Sequence, residues 1–234
     1  MKLLVSPINL AEARECVQGG ADIVDVKNPT EGSLGASFPW VIKEIRCQLS
    51  PDVPLSAALG DVPFKPGTIA LAALGLASCD VQFIKVGLYG IKTLEEGIQL
   101  MKAVIEAVKN YNGNINIVAA GYADAKRIGA ITPDLIPEVG RRADCDLIML
   151  DTAIKDGLRL FDHCEKTFLR KFVQTAHDNG QLAALAGSLR KEDLRVLADI
   201  RTDIAGVRGA ACSNFDRQNG TILASHVREL RNSF

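Results

Sequence analysis

Short apolar runs alternate with longer amphipathic stretches from one end of the chain to the other. Runs rich in Val, Ile, Leu and Ala occupy Leu3–Pro7, Ile23–Lys27, Pro54–Leu59, Phe83–Leu88, Asn116–Tyr122, Leu147–Thr152, Gln181–Gly187 and Ile204–Ala210, with starts 20 to 34 residues apart. Each has the length of a buried strand. Between them apolar residues recur at helical spacing, as in Thr93–Asn110, where Leu94, Ile98, Met101, Val104, Ile105 and Val108 share a face. Strands fed one after another by helices imply right-handed crossovers and a parallel sheet. Eight such units in 234 residues predict an α/β chain folded as a single (β/α)8 TIM barrel, an architecture of about 250 residues. A doubly wound open sheet would show fewer repeats or a glycine fingerprint, and no GxGxxG occurs. No linker or low-complexity stretch divides the chain, which reads as one domain over residues 1–234.

The strands carry charges, and parity sorts them. Successive side chains point to opposite faces. In the second run Ile23, Asp25 and Lys27 share a face, with Val24 and Val26 opposite; in the fourth, Phe83, Lys85 and Gly87 oppose Ile84, Val86 and Leu88. The sixth sets Leu147, Met149 and Asp151 against Ile148 and Leu150, and the eighth sets Gly206 and Arg208 against Ala205 and Val207. The uniformly apolar set belongs against the helices, so the charged set points into the barrel. Two accounts fit. One is a structural layer in which Asp25 and Asp151 neutralise Lys27 and Lys85. The other is a lysine-centred active site at the C-terminal rim, where barrel enzymes place their chemistry. A lysine attacks a carbonyl only when neutral, and burial beside a second cation favours that state. Lys155, just past the sixth strand in Asp-Thr-Ala-Ile-Lys-Asp-Gly, adds a third amine. The expected chemistry is a Schiff base on an aldehyde or ketone, with Asp25 and Asp151 positioning protons.

Glycines mark an expected anion site. Gly187 and Ser188 follow the seventh strand, and Arg208 and Gly209 end the eighth. Barrels commonly bind phosphate there through backbone N–H groups, and Arg208 offers a forked donor. Two long segments, Asn28–Trp40 and Gly60–Gly67, are expected to form a lid over the rim. Within the second of them, Asp61 and Lys65 are weaker site candidates.

Composition narrows the function class. With 27 Lys+Arg against 28 Asp+Glu and 5% aromatic residues, the chain has neither a polyanion footprint nor a stacking surface, so no nucleic-acid partner is expected. Its longest apolar run, Ile69–Ala77, is nine residues. A membrane span needs about 20. The opening Met-Lys-Leu-Leu-Val is interrupted by Ser6 and Pro7 and reads as a first strand, not a signal segment. Six dispersed cysteines without a CxxC, and three histidines (His163, His177, His226) on polar stretches, point to no zinc site and to reduced thiols in a cytosol. A homo-oligomer is a common outcome for such barrels.

Seven blocks carry a more specific signal: DVKNPTEGSLGASFPW (25–40), GDVPFKPGT (60–68), IKVGLYG (84–90), AAGYADAKRIGA (119–130), MLDTAIKDG (149–157), LAGS (185–188) and GVRGAAC (206–212). Together they resemble the (5-formylfuran-3-yl)methyl phosphate synthase family, barrel enzymes that begin furan synthesis in the methanofuran pathway. The resemblance spans nearly the whole chain. It implies formation of 4-(hydroxymethyl)-2-furancarboxaldehyde phosphate from two molecules of glyceraldehyde 3-phosphate, with loss of phosphate and water. It also implies that Lys27 is the Schiff-base lysine and Lys85 the proton acceptor, with Asp25, Asp151 and Lys155 completing the site, and that no metal or organic cofactor takes part. Two other readings stay open at this point: a class I aldolase or transaldolase on sugar phosphates, and a non-catalytic barrel that binds a phosphorylated metabolite.

Overall fold

Alternation along the eight apolar runs gives the sheet two apolar faces, and both are covered. The computed structural model describes residues 1–234, in the order β1 (Lys2–Val5), α1 (Leu10–Gly19), β2 (Ile23–Val26), α2 (Pro39–Gln48), β3 (Leu55–Pro63), α3 (Pro66–Ala77), β4 (Phe83–Gly90), α4 (Leu94–Lys109), β5 (Asn116–Tyr122), α5 (Ala125–Ile128), α6 (Ile136–Ala143), β6 (Leu147–Asp151), α7 (Leu160–His163), α8 (Lys166–Asp178), β7 (Leu182–Leu185), α9 (Lys191–Asp199), β8 (Ile204–Val207) and α10 (Ala224–Arg231). All eight strands are parallel, each pairs with its sequence neighbours, and β1 pairs with β8 to close the barrel. The expected (β/α)8 architecture is therefore the observed one. No helix is long and apolar enough to cross a membrane.

The outward residues Leu3, Val5, Val24, Val26, Ile84, Val86, Ile148 and Leu150 pack with the helices in one continuous core. A second, smaller apolar cluster fills the barrel itself: Leu4, Ile23, Ala58, Val118, Ala120, Leu147, Met149, Ala184, Ala186 and Ile204. Its branched members lie toward the N-terminal ends of the strands, while Ala120, Ala184, Ala186 and Gly206 leave room above them. That asymmetry gives the barrel a filled floor and an open upper half. Sequence periodicity also located the long fourth helix well: Thr93 is its N-cap and Glu96 reaches back to complete a capping box.

The third strand differs from expectation. It does not stop at Leu59 but continues through Pro63, so Gly60–Pro63 is strand and not lid. Gly60, at φ +104°, lets the strand bend. Pairing with β4 then resumes across register irregularities, Asp61 opposite Gly87 and Pro63 opposite Gly90. A glycine is needed at 87, because a Cβ there would lie 2.6 Å from the Tyr122 hydroxyl and 2.7 Å from Asp61 Oδ1.

The β1–β8 seam is secured by a buried ion pair. Asn9 caps α1 by accepting the N–H of Glu12, and Glu12 in turn takes the Arg208 guanidinium at 2.7 Å. Arg208 also donates to the carbonyl of Ser6 at 2.8 Å, so the end of β8, the end of β1 and the first turn of α1 share one cation. Removing one partner of such a pair leaves a buried charge without compensation. Glu12→Ala is expected to lower unfolding free energy by about 3–5 kcal/mol, seen as a lower denaturant midpoint with unchanged slope.

Candidate active site

Five charged side chains converge in the upper half of the barrel: Asp25, Lys85 and Asp151 from inward strand positions, Lys27 from the residue after β2, and Lys155 from the turn after β6. Asp25 (on β2) is wholly buried and accepts the Lys85 ammonium (from β4) at 2.5 Å. The Ser6 hydroxyl, on the inward parity of β1, donates to the same carboxylate oxygen at 2.9 Å. Ser56, opposite Asp25 in the β2–β3 register, is its other polar neighbour. Burial alone would raise the Asp25 carboxyl, but the charges of Lys85 and then Lys27 override it and hold it below its usual range.

Asp151 ends β6 and is also buried. Its Oδ1 accepts Lys155 Nζ at 2.7 Å and its neighbour's N–H, Thr152, at 2.7 Å. Lys155 makes a further bond to the Thr152 hydroxyl at 2.9 Å. Burial would again raise this carboxyl, yet Lys155 and Lys27 carry it well below the ordinary carboxylate value.

Lys27 is treated differently. It is 7% exposed, and the nearest carboxylate oxygen, Asp151 Oδ2, stands 3.9 Å away, beyond hydrogen-bond distance. Burial is the largest influence and lowers its value; Asp151 and Asp25 push up, while Lys85 and Lys155 push down. The outcome is an amine brought from an ordinary 10.5 to about 7. The sequence reading named burial and a second cation together; desolvation leads, and Lys85 adds to it. Lys85 and Lys155 are paired with aspartates, and Lys27 is the amine left without a hydrogen-bonded carboxylate.

The segment after Lys27 is anchored, not free to swing. Leu34 is fully buried and joins the barrel-interior cluster. Its N–H donates to Asp61 at 3.1 Å, and Asp61 also accepts the Tyr122 hydroxyl from β5. The Ser33 hydroxyl donates to the Thr152 carbonyl at 2.7 Å, tying the segment to the rim after β6. Asp124, buried just past β5, accepts the N–H groups of Ala153 at 2.7 Å and Ile154 at 2.9 Å, which sets the turn that presents Lys155. Asp61 is thus a scaffold carboxylate and not a solvated loop charge. Lys65 is exposed ahead of α3 and lies outside the cavity.

With that side roofed, the site opens toward β7, β8 and β1. A cavity of about 780 Å³ holds Asp25, Lys27, Lys85, Asp151 and Lys155 on one wall and Gly187, Ser188, Arg208 and Gly209 on the other. Gly187 (φ +117°) and Ser188 (φ +51°) take left-handed backbone conformations, and with Gly209 their N–H groups donate to no backbone carbonyl. They suit an oxyanion. Arg208 does not fit the forked-donor role expected of it. Both ends of its fork are held by Glu12, and its Nε donates to the Arg217 carbonyl at 2.9 Å. A guanidinium this deeply buried requires a carboxylate, and α1 supplies one.

Ser6 was within reach of strand parity, since it shares a face with Leu4. Asp124 carried a weaker signal, an acid directly after an apolar run. Arg217, which also lines the cavity, carried none, because it stands in irregular chain where periodicity says nothing. No three His, Cys, Asp or Glu side chains converge as metal ligands.

Comparison with known proteins follows the same lines. Among solved structures, 3-hexulose-6-phosphate synthase superposes over 100% of both chains with a TM-score of 0.68 at 16% identity, a likeness of fold alone. The (5-formylfuran-3-yl)methyl phosphate synthase of Methanocaldococcus jannaschii is 56% identical over 231 residues, covering 99% of this chain and 98% of its own. That of Methanopyrus kandleri is 53% identical over 229 residues, covering 98% and 97%. The family profile described as 4-HFC-P synthase matches residues 3–231. Matched over almost its whole length to enzymes of one name, the chain belongs to the 4-HFC-P synthase family and is an enzyme.

Proposed function

We propose that this chain joins two molecules of glyceraldehyde 3-phosphate into (5-formylfuran-3-yl)methyl phosphate through a Schiff base on Lys27. The observation that carries the reading is the unequal pairing of the pocket lysines. Lys85 and Lys155 lie 2.5 Å and 2.7 Å from an aspartate, whereas Lys27 has none closer than 3.9 Å and a value near 7. A neutral amine at working pH is the species that adds to an aldehyde.

Addition of Lys27 to one triose forms a carbinolamine, and loss of water gives an iminium. The iminium draws electrons from the adjacent C–H bond, and Lys85, coupled to Asp25, receives that proton when it has itself given one up. The resulting enamine expels phosphate from C3, which leaves a conjugated iminium open to attack at that carbon. The second triose, deprotonated at C2, bonds through C2 to that C3. The C2 oxygen of the first triose then closes onto the aldehyde of the second with loss of two waters. Hydrolysis of the imine frees the formyl group, with Lys155 and Asp151 placed to exchange protons with the departing oxygens. Atoms balance when two three-carbon units lose one phosphate and two waters. Departure of phosphate by elimination makes the enzyme a carbon–oxygen lyase. The Gly187, Ser188 and Gly209 N–H groups suit one substrate phosphate. Six dispersed thiols, none in a disulfide, support work in a reducing cytosol.

Incubation with glyceraldehyde 3-phosphate is expected to yield a furan absorbance and a product of matching mass. Borohydride in the same mixture should fix a triose adduct on Lys27. An acyclic product would instead indicate an aldolase, and no adduct would remove the Schiff base. Lys85→Arg is expected to slow furan formation by about 10²–10⁴-fold, the usual worth of a proton-transfer group, while the Lys27 adduct persists. Full activity in Lys85→Arg would exclude its role.

The depressed value of Lys27 also fixes two pH dependences. Adduct formation should rise through a midpoint near pH 7 and then level, where an unperturbed lysine would still be climbing at pH 9. The unfolded chain holds the Lys27 proton up to about 10.5 and the folded chain only to about 7, so stability rises with pH across that window. Lys27→Met should accordingly stabilise most below pH 7, and its advantage should shrink toward pH 10.5 in thermal melts.

A further inference from the structure

We propose that Arg217 is the binding residue for one of the two substrate phosphates, the one that the backbone amides after β7 and β8 do not hold. This inference rests on the reading that two phosphorylated trioses meet at Lys27.

Arg217 lies in the chain between β8 and α10 and reaches into the same cavity as Lys27 and Asp151. Its Nη2 is fully buried and has no hydrogen-bond partner. Such a guanidinium nitrogen is expensive to keep, and an unsatisfied buried donor calls for a reason. Burial is the largest influence on this side chain and lowers its value; Asp151 and Asp61 act in the opposite direction without overcoming it. An anion alongside would reverse that balance.

The side chain is held in place by its backbone. Arg208, fixed by Glu12, donates through Nε to the Arg217 carbonyl at 2.9 Å. The Asp216 carboxylate accepts the N–H groups of Gln218 at 2.9 Å and Asn219 at 3.0 Å, tightening the turn around it. The segment is closed by an antiparallel bridge between Cys212 and Ile222, and a Cβ at Gly220 would lie 2.4 Å from the Ser213 carbonyl. Asn214 and Phe215 are both held at positive φ, +53° and +55°, a conformation that persists only where the surroundings enforce it.

Charge accounting points the same way. Two trioses bring two phosphate dianions into one cavity. Among its cations, Lys85, Lys155, Arg159 and Arg208 each have a carboxylate within 3.2 Å, Lys191 has Glu229 at 3.4 Å, and Arg190 is exposed to solvent. Lys27 reacts as the neutral amine. Arg217 is the part-buried cation left without a carboxylate, and its planar fork matches a phosphate edge.

The test uses the full chain with Arg217→Gln and Arg217→Lys. Furan formation from glyceraldehyde 3-phosphate should lose about 10- to 100-fold in kcat/KM with Gln and recover in part with Lys. Borohydride trapping of glyceraldehyde, which lacks the phosphate, should stay within about twofold of the parent protein, as a group that reads only phosphate requires. Undiminished kcat/KM in Arg217→Gln overturns the assignment, as does an equal loss with both aldehydes, which would mark a structural role. A second measurement does not depend on turnover: inorganic phosphate should raise the Tm of the parent protein and of Arg217→Lys, and raise that of Arg217→Gln less. An equal rise in all three overturns the inference. Failure of the parent protein to form adduct or furan would instead refute the Schiff-base reading.

Discussion

Two aspartates serve three lysines inside one barrel, and the inequality of those pairings governs the rest of the site. Asp25 closes on Lys85 at 2.5 Å and Asp151 on Lys155 at 2.7 Å. Lys27 stands 3.9 Å from Asp151 Oδ2, while Oδ1 of that carboxylate takes Lys155 and the Thr152 N–H. A hydrogen bond is lost over that difference while desolvation is not relieved, so burial dominates at Lys27 alone. The two aspartates stay ionised because their own lysines are close. Full pairing of all three amines would make an inert ion-pair layer; full separation would make burial intolerable.

That balance needs a particular container. Branched residues fill the lower barrel, and alanines and glycines at inward positions clear the space in which lysine stems extend. On one side the segment after Lys27 is tied down through Leu34, Ser33 and Asp61, and the rim after β6 is tied down through Asp124. The cavity is thereby left open on the β7–β8–β1 side. There the Glu12–Arg208 pair has two consequences: it completes the seam of the barrel, and it holds the backbone from which Arg217 enters the cavity.

Legibility followed periodicity. Parity along β2, β4 and β6 identifies Asp25, Lys27, Lys85 and Asp151 as inward residues, because a two-residue repeat in a buried strand leaves no other face for a charge. Where the repeat ended, the reading weakened. Gly60–Pro63 looked like a lid because its turn-forming residues outweighed any strand signal, and only pairing with β4 makes them strand. Arg208 was correctly placed inward, yet its carboxylate partner comes from α1, nearly two hundred residues earlier in the chain. No local pattern announces that.

What the amino-acid order determined by itself is the barrel, the inward set of charges and, through seven extended blocks, the family. These depend on alternation and on residue identity, which are properties of neighbours in the chain. What tertiary structure decided is which of those charges are paired and which amine is left without a hydrogen-bonded carboxylate. A difference of about 1.4 Å between Lys85–Asp25 and Lys27–Asp151 separates a hydrogen-bonded ion pair from an amine whose proton is held only to about 7. Such distances are set by how eight strands close on one another, and each lysine meets its aspartate only after the barrel has formed.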